Sequence, residues 1–258
     1  MRALAEALLR RAGLPAAPLE RLAQGHAGEL WRAGDHVVKL APGDAARAEA
    51  AGLRALAAAG ARVPAVHHVD DDGLLLDFLP PGPEDWPALG RLVAALHAER
   101  TATYGADPPL YIATIPLPAG HAADWPRLYR EQRIEPLLDG LAPARADRVR
   151  AWLDRQDLPT EGACLCHGDL WRGNVLFTPD GPALIDPSAQ RAERGLDLAM
   201  IRLFGGFPEA FHRAYREALP VPDAVERSLP AYELYFLLVH VRLFGSGYHA
   251  ALDQLVRG

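Results

Sequence analysis

The segment HGDLWRGNVLFTPDGPALID, residues 167–186, decides the fold of this chain. Two apolar runs, Val175–Phe177 and Ala183–Ile185, flank a turn-forming stretch, Pro179–Pro182. Short apolar runs on either side of a turn rich in Pro and Gly predict two strands joined as a hairpin. Polar residues lie just before the first strand and just after the second. The segment therefore predicts a β-rich island with chemically reactive groups at its ends.

Three side chains of this island have the chemistry that phosphoryl transfer needs. The reaction requires a carboxylate that accepts the proton of the attacking hydroxyl, and oxygen ligands that fix Mg²⁺ against the triphosphate of ATP. Asp169 is the candidate base, and Asn174 and Asp186 are the candidate metal ligands. The Asp169–Asn174 separation equals that of the Asp and Asn in the protein-kinase catalytic loop. The tripeptide HGD alone would equally fit a turn in which Asp caps backbone N–H groups.

The first 80 residues contain two further candidates for binding ATP. Lys39 lies in the apolar run His36–Leu40, which predicts a strand. Glu49 lies in Ala45–Ala59, which predicts a helix with Asp44 as its N-cap. Kinases use such a lysine to contact the α- and β-phosphates and such a glutamate to orient the lysine. Alone, such a lysine is commonly an edge-strand residue and such a glutamate is usually solvated. Their order along the chain, however, favours a kinase.

Two other segments are candidates for contacts with ATP. Gly25 and Gly28 lie in a short stretch that predicts a phosphate-covering loop, where absent side chains let backbone N–H groups approach the phosphates. Asp77, Phe78 and Leu79 end the first-half segment and are expected to run along the adenine edge. This second assignment depends on the order of the elements.

The proline-rich stretch Pro80–Pro83 is the expected boundary between two parts. Residues 1–80 are predicted to form a small β-rich N-lobe that binds ATP, and residues 81–258 a larger, mainly helical C-lobe for catalysis and acceptor binding. The fold class is therefore α+β, a two-lobed protein-kinase-like fold. Helices are predicted at Trp86–His97, Trp125–Leu138, Arg145–Arg155 and from Leu196 onward.

The amino-acid composition favours some classes of function and argues against others. Half of the 258 residues are hydrophobic and 23% are charged, which is typical of a globular enzyme. The net charge of -6 argues against a nucleic-acid partner. Glu6 and Arg10 interrupt the apolar N-terminal stretch, so we expect no membrane span and a cytoplasmic, monomeric protein. We expect Cys164 and Cys166 to point to opposite faces of a strand and to form neither a disulfide nor a zinc site.

Two stretches resemble a known family, HGDLWRGN at 167–174 and DLAMIRLFGGFPEAF at 197–211. They are similar to the fructosamine kinases, or ketosamine 3-kinases, on the aminoglycoside-phosphotransferase branch of the protein-kinase-like fold. The resemblance spans most of the chain. It implies ATP-dependent phosphorylation of the 3-hydroxyl of a ketosamine such as fructosamine, ribulosamine or erythrulosamine, either free or on glycated protein. The phosphorylated adduct would then break down, so the outcome would be deglycation.

The resemblance also implies residues for the acceptor. Trp171 is a mark of the family, and Trp125 and Arg133 look like family positions that are candidates for substrate binding. Gly195 departs from the pattern, because an acidic residue is usual there, and it leaves the preferred ketosamine open. Asp197 is retained and is expected to brace the catalytic loop through backbone N–H bonds.

Three alternatives remain at this point. The first is a phosphotransferase for another small alcohol, such as an aminoglycoside or choline. The second is a nucleotide-binding pseudokinase, which would have lost Lys39, Asp169 or Asp186. The third is a metallohydrolase that uses His167 together with the two aspartates, although it would leave Lys39 and Glu49 without a role.

Overall fold

The protein has a mixed α and β fold, with a sheet in the first third of the chain and helices in most of the rest. The computed structural model describes residues 1–25 and 28–257, with residues 23–25 described through their backbone only. This arrangement confirms the predicted fold class.

The helices are α1 (Arg2–Arg11), α2 (Gly43–Ala58), α3 (Trp86–Ala98), α4 (Trp125–Leu128), α5 (Glu135–Leu138), α6 (Pro143–Leu153), α7 (Gly195–Phe204), α8 (Glu209–Ala218), α9 (Asp223–Phe244) and α10 (His249–Leu255). The strands are β1 (Glu20–Gly25), β2 (Gly28–Ala33), β3 (His36–Leu40), β4 (Val66–Val69), β5 (Gly73–Asp77), β6 (Tyr104–Ala106), β7 (Leu110–Ile112), β8 (Ile115–Leu117), β9 (Gly120–Ala122), β10 (Cys164–Cys166), β11 (Val175–Thr178), β12 (Gly181–Leu184) and β13 (Gln190–Ala192).

The N-terminal sheet has the order β1-β2-β3-β5-β4 and is antiparallel throughout. It contains two hairpins, β2–β3 and β4–β5, and β3 is the strand predicted at His36–Leu40. The N-cap of α2 was predicted wrongly, because Pro42 occupies that position and Asp44 lies in the first turn. An acidic residue in the first turn still favours the helix, since it faces the positive end of the helix dipole.

The segment after β5 is held against the β11–β12 hairpin. The Gly82 N–H donates to the Phe177 carbonyl over 2.7 Å. A Cβ on Gly82 would lie 2.3 Å from the carbonyl carbon of Thr178, so only glycine allows this close approach. The Arg172 guanidinium lies 2.8 Å from the Glu84 carboxylate. The division at residues 80 and 81 falls in this segment and stays a prediction.

Helix α9 is the central element of the C-terminal part. Its buried face packs against α7, α5 and the π-helical turn Tyr129–Ile134, which separates α4 from α5. The predicted helix over 125–138 is therefore three consecutive helical pieces. Pro136 is the second residue of the last piece, in the first helical turn, where its missing N–H costs no helical hydrogen bond.

Four short strands lie between α3 and α4, and the sequence did not lead us to predict them. Strands β6 and β9 extend β10 and β13 into one sheet, in the order β10-β13-β6-β9, and β7 pairs with β8. Each of these strands has three residues, too few to show a periodic pattern. This sheet matters for the site because β10 leads directly into the catalytic loop.

The prediction for the cysteines was partly wrong. Residues two apart on a strand point to the same face, and the sulfurs of Cys164 and Cys166 lie 3.7 Å apart. Both are buried, free thiols. Among the described helices, none is long and apolar enough to cross a membrane.

Candidate active site

The catalytic loop begins where β10 ends and reaches β11 through a 3₁₀ turn at Arg172–Asn174. Gly168 has a φ of +81°, and a Cβ there would lie 2.0 Å from the Ser188 carbonyl oxygen. Glycine is therefore required for the chain to turn between His167 and Asp169.

Asp197 braces this loop from α7. Its carboxylate accepts hydrogen bonds from the N–H groups of His167, at 2.7 Å, and Gly168, at 2.8 Å. The His97 Nε2 lies 3.2 Å from the same carboxylate, and the His97 Nδ1 lies 2.9 Å from the Tyr215 hydroxyl. These contacts confirm the expected role of Asp197, while His97 and Tyr215 were missed. Their signal in the sequence was weak, since a His and a Tyr on apolar helix faces resemble ordinary core residues.

Asp169 faces Asn174 across the loop. The Asn174 amide nitrogen donates to the Asp169 backbone carbonyl over 2.8 Å and to its carboxylate over 3.0 Å. Burial raises the pKa of Asp169 to about 7, although the hydrogen bond from Asn174 lowers it. A general base works best when its pKa is near the working pH. The Asp169 carboxylate is thus oriented by Asn174, and its raised pKa suits a general base, a role that stays a prediction.

His167 is a structural residue of the loop. Its Nε2 lies 2.9 Å from the Ile185 carbonyl, and its Nδ1 accepts the Asp169 N–H at 3.3 Å. With its side chain buried and both ring nitrogens engaged, His167 has no ligand atom left for a metal. The metallohydrolase alternative is therefore not supported.

Lys39 connects the two parts of the site. Its ammonium lies 2.7 Å from the Glu49 carboxylate on α2 and 2.9 Å from the Asp186 carboxylate, which follows β12. Burial alone would lower the pKa of Lys39, but the two carboxylates raise it, so the lysine stays charged. Lys39 is also the only lysine of the chain. The structure thus brings together the lysine, the glutamate and the metal-side aspartate that the sequence predicts.

Asn174 and Asp186 have donor atoms that suit Mg²⁺, which prefers oxygen ligands. Among the described residues, both hydrogen bonds of the Asn174 side chain leave from its nitrogen, so its Oδ1 is available. The Asp186 side chain is 38% exposed and adopts a φ of +55°, an uncommon conformation outside glycine. The two residues fit a divalent cation, and their role as its ligands stays a prediction.

The predicted contacts with the phosphates and the adenine are only partly described. Gly25 pairs with Gly28 at the end of the β1–β2 hairpin, and the two residues between them lie outside the described chain. A Cβ on Gly28 would lie 1.8 Å from the Leu40 carbonyl oxygen, so only glycine fits at this position.

At the predicted adenine edge, two backbone donors are already used. The Asp77 N–H donates to the Ala65 carbonyl, and the Phe78 N–H donates to the Asp35 carbonyl. Leu79 is half-buried, and its N–H makes no hydrogen bond to another described residue. Of the three residues, Leu79 is therefore the one whose N–H is free for the predicted contact with adenine, which stays a prediction.

The three acceptor candidates lie in different environments. Trp171 is 44% exposed, and its ring lies over Gly173, where a Cβ would be 2.3 Å from the ring. Trp125 is fully buried, and its indole N–H donates to the Tyr232 hydroxyl over 2.9 Å. It has no surface to offer a substrate, so its expected role in substrate binding does not fit this structure. Arg133 is also fully buried.

Gly195, where the resemblance implies an acidic residue, lies against an aromatic ring. A Cβ on Gly195 would lie 2.4 Å from Cε2 and 2.7 Å from Cδ2 of Tyr232. Tyr232 is itself held by the indole of Trp125. The Tyr232 ring therefore fills the space that an acidic side chain would need, and this packing favours glycine at position 195.

Gly195→Ala is expected to destabilise the fold. The added methyl group overlaps the Tyr232 ring, and overpacking of this kind typically costs about 1–3 kcal/mol. Chemical denaturation would measure it. Gly247→Ala is the control, because a Cβ on Gly247 meets nothing within 4 Å. Equal stability of the two variants would show that Tyr232 can move aside and that packing does not require the glycine.

The fold and the site define a protein-kinase-like phosphotransferase. An aminoglycoside phosphotransferase solved as a ternary complex with streptomycin and ATP has this fold, with a TM-score of 0.67 and 14% identity over 99% of this chain and 96% of that one. The sequence model of the fructosamine kinase family matches residues 37–258. The chain therefore belongs to the fructosamine kinase family, and it is an ATP-dependent phosphotransferase.

Two relatives match over nearly their whole length. A probable ketoamine kinase of Thermus thermophilus is 49% identical over 97% of both chains. A crystal structure of a candidate fructosamine-3-kinase from Thermobifida fusca superposes with a TM-score of 0.86 and 32% identity, covering 100% of this chain and 98% of that one.

Proposed function

We propose that this enzyme is a ketosamine 3-kinase, which transfers the γ-phosphoryl group of ATP to the 3-hydroxyl of a ketosamine and so leads to deglycation. The observation that carries the proposal is the exposed Trp171 two residues after the base Asp169, within a complete set of phosphotransferase residues. The ketoamine kinase and the fructosamine-3-kinase that the chain resembles are named for the same class of acceptor. The acceptor is either a free ketosamine or one on a glycated protein.

In the proposed mechanism the site positions ATP and the acceptor hydroxyl and neutralises the negative charge of the phosphates. Lys39, oriented by Glu49, binds the α- and β-phosphates. Asn174 and Asp186 would hold Mg²⁺, which supplies charge neutralisation at the phosphates when bound. The Asp169 carboxylate accepts the proton as the acceptor oxygen bonds to the γ-phosphorus and the bond to the ADP oxygen breaks. Asn174 keeps that carboxylate in place through its amide nitrogen.

Aromatic rings beside the catalytic loop support a sugar-like acceptor. Phe204 ends α7, is 37% exposed, and has its ring 4.7 Å from that of His240 on α9. The chain next to it reaches the catalytic loop, because a Cβ on Gly206 would lie 3.1 Å from the Arg172 side chain. Flat rings pack well against the C–H faces of a sugar. These rings and Trp171 are the proposed stacking surfaces for the acceptor.

A panel of acceptors tests the proposed function. ADP release is expected with ribulosamine, erythrulosamine or fructosamine, and little is expected with kanamycin or choline. Phosphorus NMR of the product would locate the phosphate on the 3-oxygen. A glycated protein, assayed beside the free compounds, would separate the two kinds of acceptor. Activity confined to kanamycin or choline would show that the proposal is wrong.

A further inference from the structure

A cleft of about 400 Å³ lies between α2 and the four-stranded sheet of the C-terminal part. This volume is in the range of small-molecule sites, about 300–1,000 Å³. One wall of the cleft consists of small residues of α2, namely Ala48, Ala51, Gly52 and Ala55. They recur at intervals of three and four residues, so they share one face of the helix. An apolar group can therefore pack against this wall.

The opposite wall carries a cation and an imidazole on one face of the sheet. Arg191 on β13 lies directly opposite Gly105 on β6, and Gly105 lies directly opposite His121 on β9. Residues opposite each other on neighbouring strands project their side chains to the same face. Arg191 and His121 are therefore two strand spacings apart, roughly 10 Å, and Gly105 between them has no side chain. All three residues line the cleft.

The Arg191 guanidinium is available to a ligand. In the part of the chain that the structure describes, it forms neither a hydrogen bond nor an ion pair, and the residue is half-buried. A guanidinium only donates hydrogen bonds, and its planar shape matches the two oxygens of a carboxylate. A carboxylate placed over Gly105 would have Arg191 on one side and His121 on the other.

Two carboxylates belong to the same cleft. Glu99 follows α3 and Asp107 follows β6, and both are exposed. Neither side chain forms an ion pair or a hydrogen bond with another described residue. A ligand with a carboxylate alone would be repelled by these two acids. A ligand that also carries an ammonium group would match both signs of charge in the cleft.

We propose that this cleft binds a small zwitterion, an α-amino acid with an apolar side chain. The ligand carboxylate lies between Arg191 and His121, and its ammonium group faces Glu99 or Asp107. Its side chain packs against the small residues of α2. The cleft is thus a second ligand site, with a chemistry different from that of a nucleotide or a sugar.

The cleft lies next to the active site but is separate from it. A Cβ on Gly52 would lie 3.1 Å from Cγ of Pro187, the residue that follows Asp186. Among the described residues, none of the candidate catalytic, metal or acceptor residues lines the cleft. Binding to the cleft can be measured without ATP and without an acceptor. The inference therefore stands or falls independently of the proposed function.

Three matched compounds test the need for both charges. L-Phenylalanine carries both, 3-phenylpropionate lacks the ammonium group, and phenethylamine lacks the carboxylate. Isothermal titration calorimetry with the full chain is expected to give a Kd below about 1 mM for L-phenylalanine. The other two compounds should bind at least about tenfold more weakly. Equal binding of 3-phenylpropionate, or no binding of L-phenylalanine, would overturn the proposal.

Arg191→Gln removes the cation and keeps a polar side chain. The Kd for L-phenylalanine is expected to rise at least about tenfold, because the carboxylate loses its charged partner. The thermal midpoint should stay the same, since Arg191 has no partner to lose within the described residues. Arg54→Gln is the control, because Arg54 is exposed on α2, lies outside the cleft and gives the same change in net charge. Equal affinity of the two variants would show that Arg191 does not hold the ligand.

Filling the cleft gives an independent test. Ala55 is exposed, so Ala55→Leu extends into the cleft and not into the core. It should weaken binding of L-phenylalanine at least about tenfold. Ala57→Leu is the control, because Ala57 is exposed on the same helix outside the cleft. Trp171→Ala should leave the affinity unchanged. Loss of binding in Trp171→Ala, with binding kept in Ala55→Leu, would place the compound beside the catalytic loop and overturn the cleft as its site.

Discussion

Asp169→Asn is expected to lower kcat by about 10²–10⁴-fold, the usual contribution of a general base. The amide has the shape of the carboxylate and can still accept the hydrogen bond from Asn174. It cannot take the proton of the attacking hydroxyl. The KM for ATP should change little, because Lys39 and Asp186 are untouched. Steady-state measurement of ADP release with a saturating acceptor checks this result.

The stability of the same variant provides a second readout. Burial raises the pKa of Asp169 to about 7, so the folded protein disfavours the charged carboxylate. A neutral amide should therefore leave the thermal midpoint unchanged or raise it. Asp147→Asn, on the exposed surface of α6, is the control for the loss of one acid. Turnover of Asp169→Asn within about tenfold of wild type would mean that another group is the base.

Lys39→Met is expected to abolish most of the activity and to destabilise the fold. The lysine holds two carboxylates, and Glu49 is largely buried. Removing one partner of a buried ion pair typically costs about 3–5 kcal/mol, because the other charge is left uncompensated. The KM for ATP should rise, since the α- and β-phosphates lose their cation. Denaturation and ATP-dependent kinetics measure the two effects.

A double variant separates stability from activity. Lys39→Met combined with Glu49→Gln removes the buried charge that the single variant leaves behind. We expect it to recover most of the lost stability and none of the activity. Recovery of activity in the double variant would show that Lys39 acts on the packing of α2 and not on the nucleotide.

The sequence predicts the elements that depend on local patterns. The candidate base Asp169 and the candidate metal ligand Asn174 lie in one continuous segment, and their spacing predicts these roles without a structure. The strand with Lys39 and the helix with Glu49 follow from their periodicity and composition. The ion pair between these two residues and its contact with Asp186 then confirm that the three belong together.

Long-range contacts explain what the sequence does not predict. Strands β6 and β9 are too short for a periodic pattern and exist because β13 pairs with β6. Trp125 begins a short helix and packs into the core, although the resemblance implies a role in substrate binding. Arg133 and Gln190 are 57 residues apart, and only the fold brings the Arg133 Nε to within 2.8 Å of the Gln190 Oε1.

The lone lysine of the chain has a chemical consequence of its own. Glycation begins at an unprotonated amine that a reducing sugar can reach. Lys39 is 3% exposed, bonded to two carboxylates and held as an ammonium ion, so it meets neither condition. The other basic side chains of the 27 Lys and Arg residues are guanidinium groups. A protein that is proposed to repair sugar-damaged lysines therefore presents no lysine side chain of its own to the same damage.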